Sequence, residues 1–205
     1  MGFLLEKCTL RVYNQQIIES CHPFDCANQD LNDFFAYDAL NYSSELLGKS
    51  YCFTLDESPE ILVCAFTISN DSIKTINLPN ARKKKVTKDI PRHKHMRSYP
   101  AVLIGRLGVH KDFRKIQDED QRIGDQLMDF IKSWFVDGGN KTGCRFIVVD
   151  AYNTFQPTRY YESNGFTFLF STEDQEKEYT GLPLDQNLQT RLLYFDLILL
   201  DGKFN

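Results

Sequence analysis

The sequence predicts a mixed α/β fold, and three stretches carry that reading. "KSYCFTLDESPEILVCAFTISN" contains two apolar runs, residues 50–55 and 61–69, on either side of a turn with Ser58 and Pro59, the signature of an antiparallel hairpin. "AVLIGRLGV" at 101–109 and "CRFIVVDAY" at 144–152 have the continuous apolar character of strands buried on both faces. Between them Ile123, Leu127, Phe130, Ile131 and Trp134 recur at helical spacing, and "DGG" at 137–139 ends the pattern. Strand, helix, strand in that order is a crossover joining parallel strands.

Taken in order, "DLNDFFAYDALNYSSELLG" places Leu31, Phe34, Phe35, Tyr42, Leu46 and Leu47 at mostly helical spacing, stops at Gly48, and predicts a helix ahead of the hairpin. Residues 71–100 mix short apolar pieces with prolines and basic residues, and read as a long connection with room for a short helix. After the crossover, "QPTRYYESNG" predicts a short helix ending at Gly165, "FTFLFS" a strand, and "TRLLYFDLIL" a last strand after an acidic linker. There is no internal repeat and no low-complexity segment.

With 205 residues, 42% of them hydrophobic and 25% charged, the chain has ordinary globular composition and enough length for one substantial core. No apolar run approaches the roughly 20 residues that cross a bilayer, and the N-terminal "MGFLLEKCTLRVYNQQ" is too short in its apolar part for a signal peptide, so a cytoplasmic protein with no membrane contact is expected. Six scattered cysteines, several inside strand-like runs, read as buried thiols; "CHPFDC" clusters Cys21, His22 and Cys26, but no second ligand pair follows, and no metal is expected. The net charge of −4 is uneven: "RKKKVTKDIPRHKHMR" at 82–97 holds eight of the 24 basic residues. Such a run is either a solvated loop or a contact for a phosphate-bearing partner such as RNA.

The helix of the crossover begins at "QRIGDQ". A helix start exposes unpaired N–H groups and the positive end of the dipole, which suits a phosphate. Gly124 has no Cβ to keep a ligand off, and Arg122 adds charge. A plain turn glycine is the alternative reading.

Taken together, "LIGRLGVHKDFR", "QRIGDQLMDFIKSWF", "CRFIVVDAYN" and "RYYESNGFTF" resemble, in that order, the central strand, pyrophosphate-binding helix, following strand and tyrosine-bearing helix of the GNAT superfamily of acyl-CoA-dependent N-acyltransferases. The resemblance spans residues 24–199. "PFDCANQDLNDFF" and "YPAVLIGRLGV" are most similar to the branch that includes toxins acetylating the amino group of aminoacyl-tRNA. It implies one domain over residues 1–205, with a mostly antiparallel central sheet flanked by helices and one splayed pair of parallel strands.

By the same resemblance, Leu107, Gly108 and Val109 line the pantetheine arm of acetyl-CoA, Gln121, Arg122, Ile123, Gly124 and Asp125 form the pyrophosphate turn, and Asn153 is a further pantetheine contact. Tyr161 matches the tyrosine that protonates the departing thiolate, for which a phenol pKa near 10 is nearly balanced. His110 and Glu162 are bases by residue type only, and no base is assigned. Implied partners are an amine acceptor, small or macromolecular, with tRNA among them, and an antitoxin-like protein; a dimer is one option for the oligomeric state.

The family pattern is altered in three places. Gly124 is the only glycine of the phosphate loop, with Arg122 where an earlier one belongs. "KIQDED" is inserted ahead of the loop and brings acidic residues near it. "DAYNTFQPTRYY" is one residue longer than usual and carries Pro157. These departures keep a second reading open: a GNAT-like acyl-CoA-binding or protein-interaction module without catalysis.

Overall fold

The computed structural model describes residues 2–88, 90, 98–116, 121–140 and 142–201. The chain opens with helix α1 (Phe3–Lys7), strand β1 (Cys8–Val12) and helix α2 (Gln15–Ser20), whose Asn14 side chain caps the Ile17 N–H. Helices α3 (Gln29–Asp33) and α4 (Ala39–Ser44) follow, joined by a π turn over Phe34–Asp38. Strands β2 (Lys49–Leu55) and β3 (Leu62–Lys74) form the expected hairpin, with Cys52 opposite Ala65 and Tyr51 opposite Phe66. Then come α5 (Asn80–Thr87), β4 (Ser98–Val109), α6 (Ile123–Val136), β5 (Phe146–Tyr152), α7 (Phe155–Ser163), β6 (Thr167–Phe168), α8 (Glu173–Thr180), β7 (Thr190–Asp196) and α9 (Ile198–Asp201).

The seven strands lie in the order β1-β2-β3-β4-β5-β7-β6. The pairs β1–β2, β2–β3, β5–β7 and β6–β7 are antiparallel, and β4–β5 is the parallel pair that the crossover requires. The chain divides into two compact units, residues 1–69 with 104–134, and residues 70–103 with 135–205. Strands β3 and β4 pass from one unit into the other.

In the first unit, α6 behaves as its pattern predicts. Ile123, Leu127, Met128 and Ile131 are buried, and Phe130 and Trp134 meet Phe53 and Tyr51 at ring centroid distances of 5.0 and 4.9 Å. A second cluster gathers Tyr13, Ile17, Phe24, Phe34, Phe35 and Cys52. The π turn brings the consecutive Phe34 and Phe35 inside together, which regular helical rotation of about 100° per residue disfavours. The Tyr13 hydroxyl donates to the Phe35 carbonyl at 2.9 Å, where the helical ladder widens. The core of the second unit is built by Ile73, Val86, Tyr99, Phe146, Val148, Leu169, Phe170 and Tyr194.

Several sequence expectations are corrected. The first long helix ends at Ser44, so Leu46 and Leu47 lie beyond it and are exposed; Leu46 has φ 57°, the left-handed conformation of a residue past a helix end. Strand β3 runs five residues past Ser69. "FTFLFS" contributes only Thr167–Phe168 to the sheet. The acidic linker is largely helix α8, capped by Thr172 and ended at Gly181 with φ 75°. The final strand stops at Asp196 and the chain turns into α9.

Part of the basic run is the helix α5, which has one buried side chain, Val86. Its Arg82 is structural: the guanidinium donates to the Phe168 and Leu169 carbonyls. Lys84, Lys85 and Lys88 are exposed. Asp89 and residues 91–97 lie outside the described residues, as do residues 117–120 of the "KIQDED" insertion.

Candidate active site

Within the first unit, the start of α6 is built from residues 121–126. The Arg122 carbonyl accepts the Asp125 and Gln126 N–H groups at 3.0 and 3.1 Å, which makes Arg122 the cap position and Gly124 the second residue of the helix. An arginine cannot cap N–H groups with its side chain. Instead its guanidinium turns onto Asp125, Nε to Oδ2 at 3.0 Å. Gly124 is half-buried, and the described glycines with positive φ are Gly165 and Gly181, so its conformation does not demand glycine.

The same turn is braced from below by a residue the sequence reading passed over. Gln126 is 7% exposed; its Oε1 accepts the Leu4 N–H at 2.8 Å and its Nε2 donates to the Gln121 carbonyl at 2.9 Å. Gln121 in turn donates from Nε2 to Asp129 at 2.8 Å. A glutamine next to the apolar pair Leu127 and Met128 on the buried helix face was the available signal.

In β4, Leu107 and Val109 are half-buried and Gly108 is buried. A Cβ on Gly108 would sit 3.1 Å from the Phe24 ring and 3.2 Å from Cys26 Sγ, so the "PFDCAN" loop closes tightly on the strand backbone and a larger residue would press on both side chains. That loop is tied down by several bonds. Lys111 N–H donates to the Asp25 carbonyl at 2.9 Å, Lys111 Nζ pairs with Asp25 Oδ2 at 2.8 Å, Asn32 Oδ1 accepts the Cys26 N–H, and Arg114 donates to the Cys26 carbonyl. The Lys111 ammonium, with the Ala27 N–H and Asn32, holds the Asp25 carboxyl well below its usual range.

His110 packs between Phe24 and Phe113, and its Nδ1 accepts the Asp112 N–H at 3.4 Å. On the same strand Arg106 lies over the Phe34 ring at 5.0 Å, a cation on an aromatic face that sequence reasoning did not single out. Cys21 donates to the Pro59 carbonyl and Cys26 contacts Asn32 Oδ1, and all six cysteines are free thiols. Among the described residues no group of three or more metal-ligating side chains converges.

The second unit carries Asn153 and Tyr161. Helix α7 ends in a paired closure: the Gly165 N–H donates to the Glu162 carbonyl at 2.9 Å and the Phe166 N–H to the Tyr161 carbonyl at 3.0 Å. Gly165 has φ 81°, and the Phe166 ring packs on the Tyr161 ring at 5.4 Å. This is the glycine-terminated helix end with its hydrophobic contact, and it fixes Tyr161 two turns from the helix start. Tyr160 stands beside it at 5.1 Å, edge to face. Burial pushes the Tyr161 phenol above its ordinary value, so it stays a protonated donor at neutral and moderately alkaline pH.

Asn153 occupies the turn between β5 and α7. Its N–H donates to the Gln189 carbonyl at 2.8 Å, and its side-chain nitrogen to Glu173 Oε1 at 3.1 Å and the Leu188 carbonyl at 3.0 Å. Behind Glu173, Arg191 pairs with Glu176 at 2.7 Å, and the Leu192 N–H reaches Glu176 Oε1 at 2.5 Å. Burial raises the Glu176 carboxyl, with the Arg191 contact opposing it. None of this network was legible beforehand, because α8 has no apolar periodicity to announce it.

The sheet order, the parallel pair and the flanking helices define the fold of the GNAT N-acyltransferases. No family model and no curated protein matches the chain. Solved structures do. AtaT complexed with acetyl-methionyl-tRNAfMet is 17% identical, with a TM-score of 0.63 over 97% of this chain and 99% of that one. A tyrosine-to-phenylalanine variant of KacT is 18% identical, with a TM-score of 0.61 over 97% of this chain and 100% of that one. An AtaT toxin variant bound to acetyl-CoA and the C-terminus of the antitoxin AtaR is 15% identical, with a TM-score of 0.58 over 98% and 99%. At these identities the likeness is one of fold.

Proposed function

We propose that the chain is an acetyl-CoA-dependent N-acetyltransferase acting on a primary amine, with the amino group of an aminoacyl-tRNA as acceptor, and that residues 1–205 work as one domain in the cytoplasm. The observation that carries this is the start of α6: a helix of 14 residues with the exposed Arg122 at its cap position and Gly124 as its second residue, on a fold shared with structures holding acetyl-CoA. The residues present fit a pyrophosphate by charge, since the positive end of the helix dipole and the Arg122 guanidinium coincide at this turn; the Asp125 carboxylate opposes it.

In this reading Leu107, Gly108 and Val109 of β4 run alongside the pantetheine arm. Gln121 to Asp125 form the turn that takes the pyrophosphate, Asn153 contacts the arm, and no metal takes part. The amine nitrogen attacks the thioester carbonyl. The C–N bond forms, the C–S bond breaks, the proton of the resulting ammonium leaves to solvent, Tyr161 gives its phenolic proton to the CoA thiolate, and the phenolate regains a proton from solvent. An N–H of the strand at 107–109 supports the oxyanion.

The tRNA acceptor is supported by the AtaT complex with acetyl-methionyl-tRNAfMet and by the exposed lysines of α5, and an antitoxin-like partner by the complex with AtaR. The experiment is transfer of labelled acetyl from acetyl-CoA to methionyl-tRNA, with free methionine and a small alkylamine beside it. Label on the tRNA alone supports the macromolecular acceptor, and label on none of them rejects it.

A second reading, a GNAT-like module without catalysis that serves protein interaction, is favoured by one observation: Arg122 is paired with a carboxylate at the very turn where phosphate should lie. It requires acetyl-CoA binding to be weak or absent while the fold is intact.

A further inference from the structure

A primary carboxamide has two N–H donors on one atom and a single oxygen about 120° away in the same plane, so a protein that takes both donors also aims the oxygen. At Asn153 both are taken. Nδ2 lies 3.1 Å from Glu173 Oε1 and 3.0 Å from the Leu188 carbonyl oxygen. The opposite assignment would set Oδ1 against a carboxylate and a carbonyl, three acceptors together with no proton among them, so the network fixes which way the amide faces.

We infer that Glu173 is a positioning residue for acetyl-CoA: by holding the amide nitrogen of Asn153 it leaves Oδ1 as the only group that side chain can offer a ligand. Asn153 is therefore an acceptor and not a donor, and its partner on the ligand is an N–H. The pantetheine arm has amide N–H groups of that kind, which extends the functional reading above and rests on it.

Glu173 is itself steadied. It is the first residue of α8, where a carboxylate suits the helix dipole. Arg191 Nη1 approaches Glu173 Oε1 at 3.8 Å while its Nε holds Glu176 at 2.7 Å, and the Arg191 guanidinium lies 4.6 Å over the Phe168 ring. The backbone contributes as well, since the Asn153 N–H donates to the Gln189 carbonyl and the Thr154 N–H to the Tyr152 carbonyl at 2.7 Å. The turn and its side chain are thus set together by the segment 188–191 and by α8.

The test uses the full chain, with acetyl-CoA binding followed by calorimetry and thermal unfolding measured alongside. Glu173→Leu removes the acceptor and should weaken acetyl-CoA binding about tenfold, the scale of one hydrogen bond. Glu173→Gln keeps an oxygen for Asn153 while losing the charge that faces Arg191, and should stay within about threefold of wild type. Adding Glu173→Leu to Asn153→Ala should weaken binding no further than Asn153→Ala alone, because Glu173 acts through that amide.

Wild-type-like binding in Glu173→Leu would overturn the inference and leave the functional reading standing. So would Gln binding as poorly as Leu, which would make the ion pair with Arg191 the operative contact. If the wild-type chain itself failed to bind acetyl-CoA, the functional reading would fall and this inference with it.

Discussion

Arg122 and Asp125 are joined at 3.0 Å across the first turn of α6, so the guanidinium that the proposed pyrophosphate turn would use is paired with a carboxylate three residues on. The pair is on the surface, Arg122 being 60% exposed, and exposed pairs of this kind contribute about 0–1 kcal/mol to stability. Its consequence is functional. Asp125→Asn should leave the unfolding temperature nearly unchanged and tighten acetyl-CoA binding by about three- to tenfold, because it frees the guanidinium and removes a like charge from the phosphates. Weaker binding in Asp125→Asn, measured by calorimetry, would make Asp125 a ligand instead of a competitor.

Gly124→Glu separates binding from folding. Glutamate is the better helix former by about 0.5–1 kcal/mol, so thermal unfolding should be unchanged or slightly raised. Acetyl-CoA binding should be lost, since a side chain and a negative charge would enter the turn. Retained binding would move the phosphates away from this helix start.

Tyr161→Phe should lower kcat by about 10²-fold, within the range for loss of a general acid, and leave the Kd for acetyl-CoA unchanged. Because burial raises the Tyr161 phenol above its ordinary value, the acid limb it contributes should not titrate below about pH 10. A wild-type turnover that falls between pH 8 and 9, and does so equally in Tyr161→Phe, belongs to another group.

Alkali should destabilise the protein earlier than its net charge suggests. Burial pushes the Cys8 and Cys52 thiols up to about 12 and Cys144 to about 11, from an ordinary 9.0. These folded values lie above the unfolded ones, so the associated stability is fully present below pH 9 and is lost as the pH rises through 9 towards 12. The buried Cys8 and Cys52 each remove at most about 1.4 kcal/mol per pH unit in that window, and the half-buried Cys144 less. Urea unfolding at pH 8, 9, 10 and 11 reads this directly. Equal midpoints across the series would contradict it, and Cys52→Ala should lessen the slope.

What could be read from the sequence followed from periodicity. The hairpin 50–69, the strands flanking α6 and the face Ile123, Leu127 and Ile131 were legible because each buries a regular apolar pattern of its own. Helix α8 was not, since "EDQEKEYT" has no apolar face, and its burial comes from Glu176 meeting Arg191 fifteen residues away. Leu46 and Leu47 were misplaced for the opposite reason: they are apolar and in phase, but the helix had already ended at Ser44. The π turn at Phe34–Asp38 also shifts the phase, and its support, the Tyr13 hydroxyl, lies outside the helix.

At the site, Gly124, Gly108 and the "ESNG" helix end were legible as glycine positions. For Gly108 and Gly165 the reason became visible with the neighbours: Cys26 and Phe24 against Gly108, and Phe195 at 3.2 Å from a Cβ on Gly165. Hydrogen bonds that join distant segments, such as Asn153 to Glu173, leave no pattern in a single sequence.

The most direct measurement is calorimetric titration of the full chain with acetyl-CoA, beside CoA and a dephosphorylated pantetheine thioester. Micromolar binding that falls at least tenfold without the phosphates is expected if the Gly124 turn takes the pyrophosphate. No binding, or equal binding with and without phosphates, would contradict the proposed cofactor site at this turn.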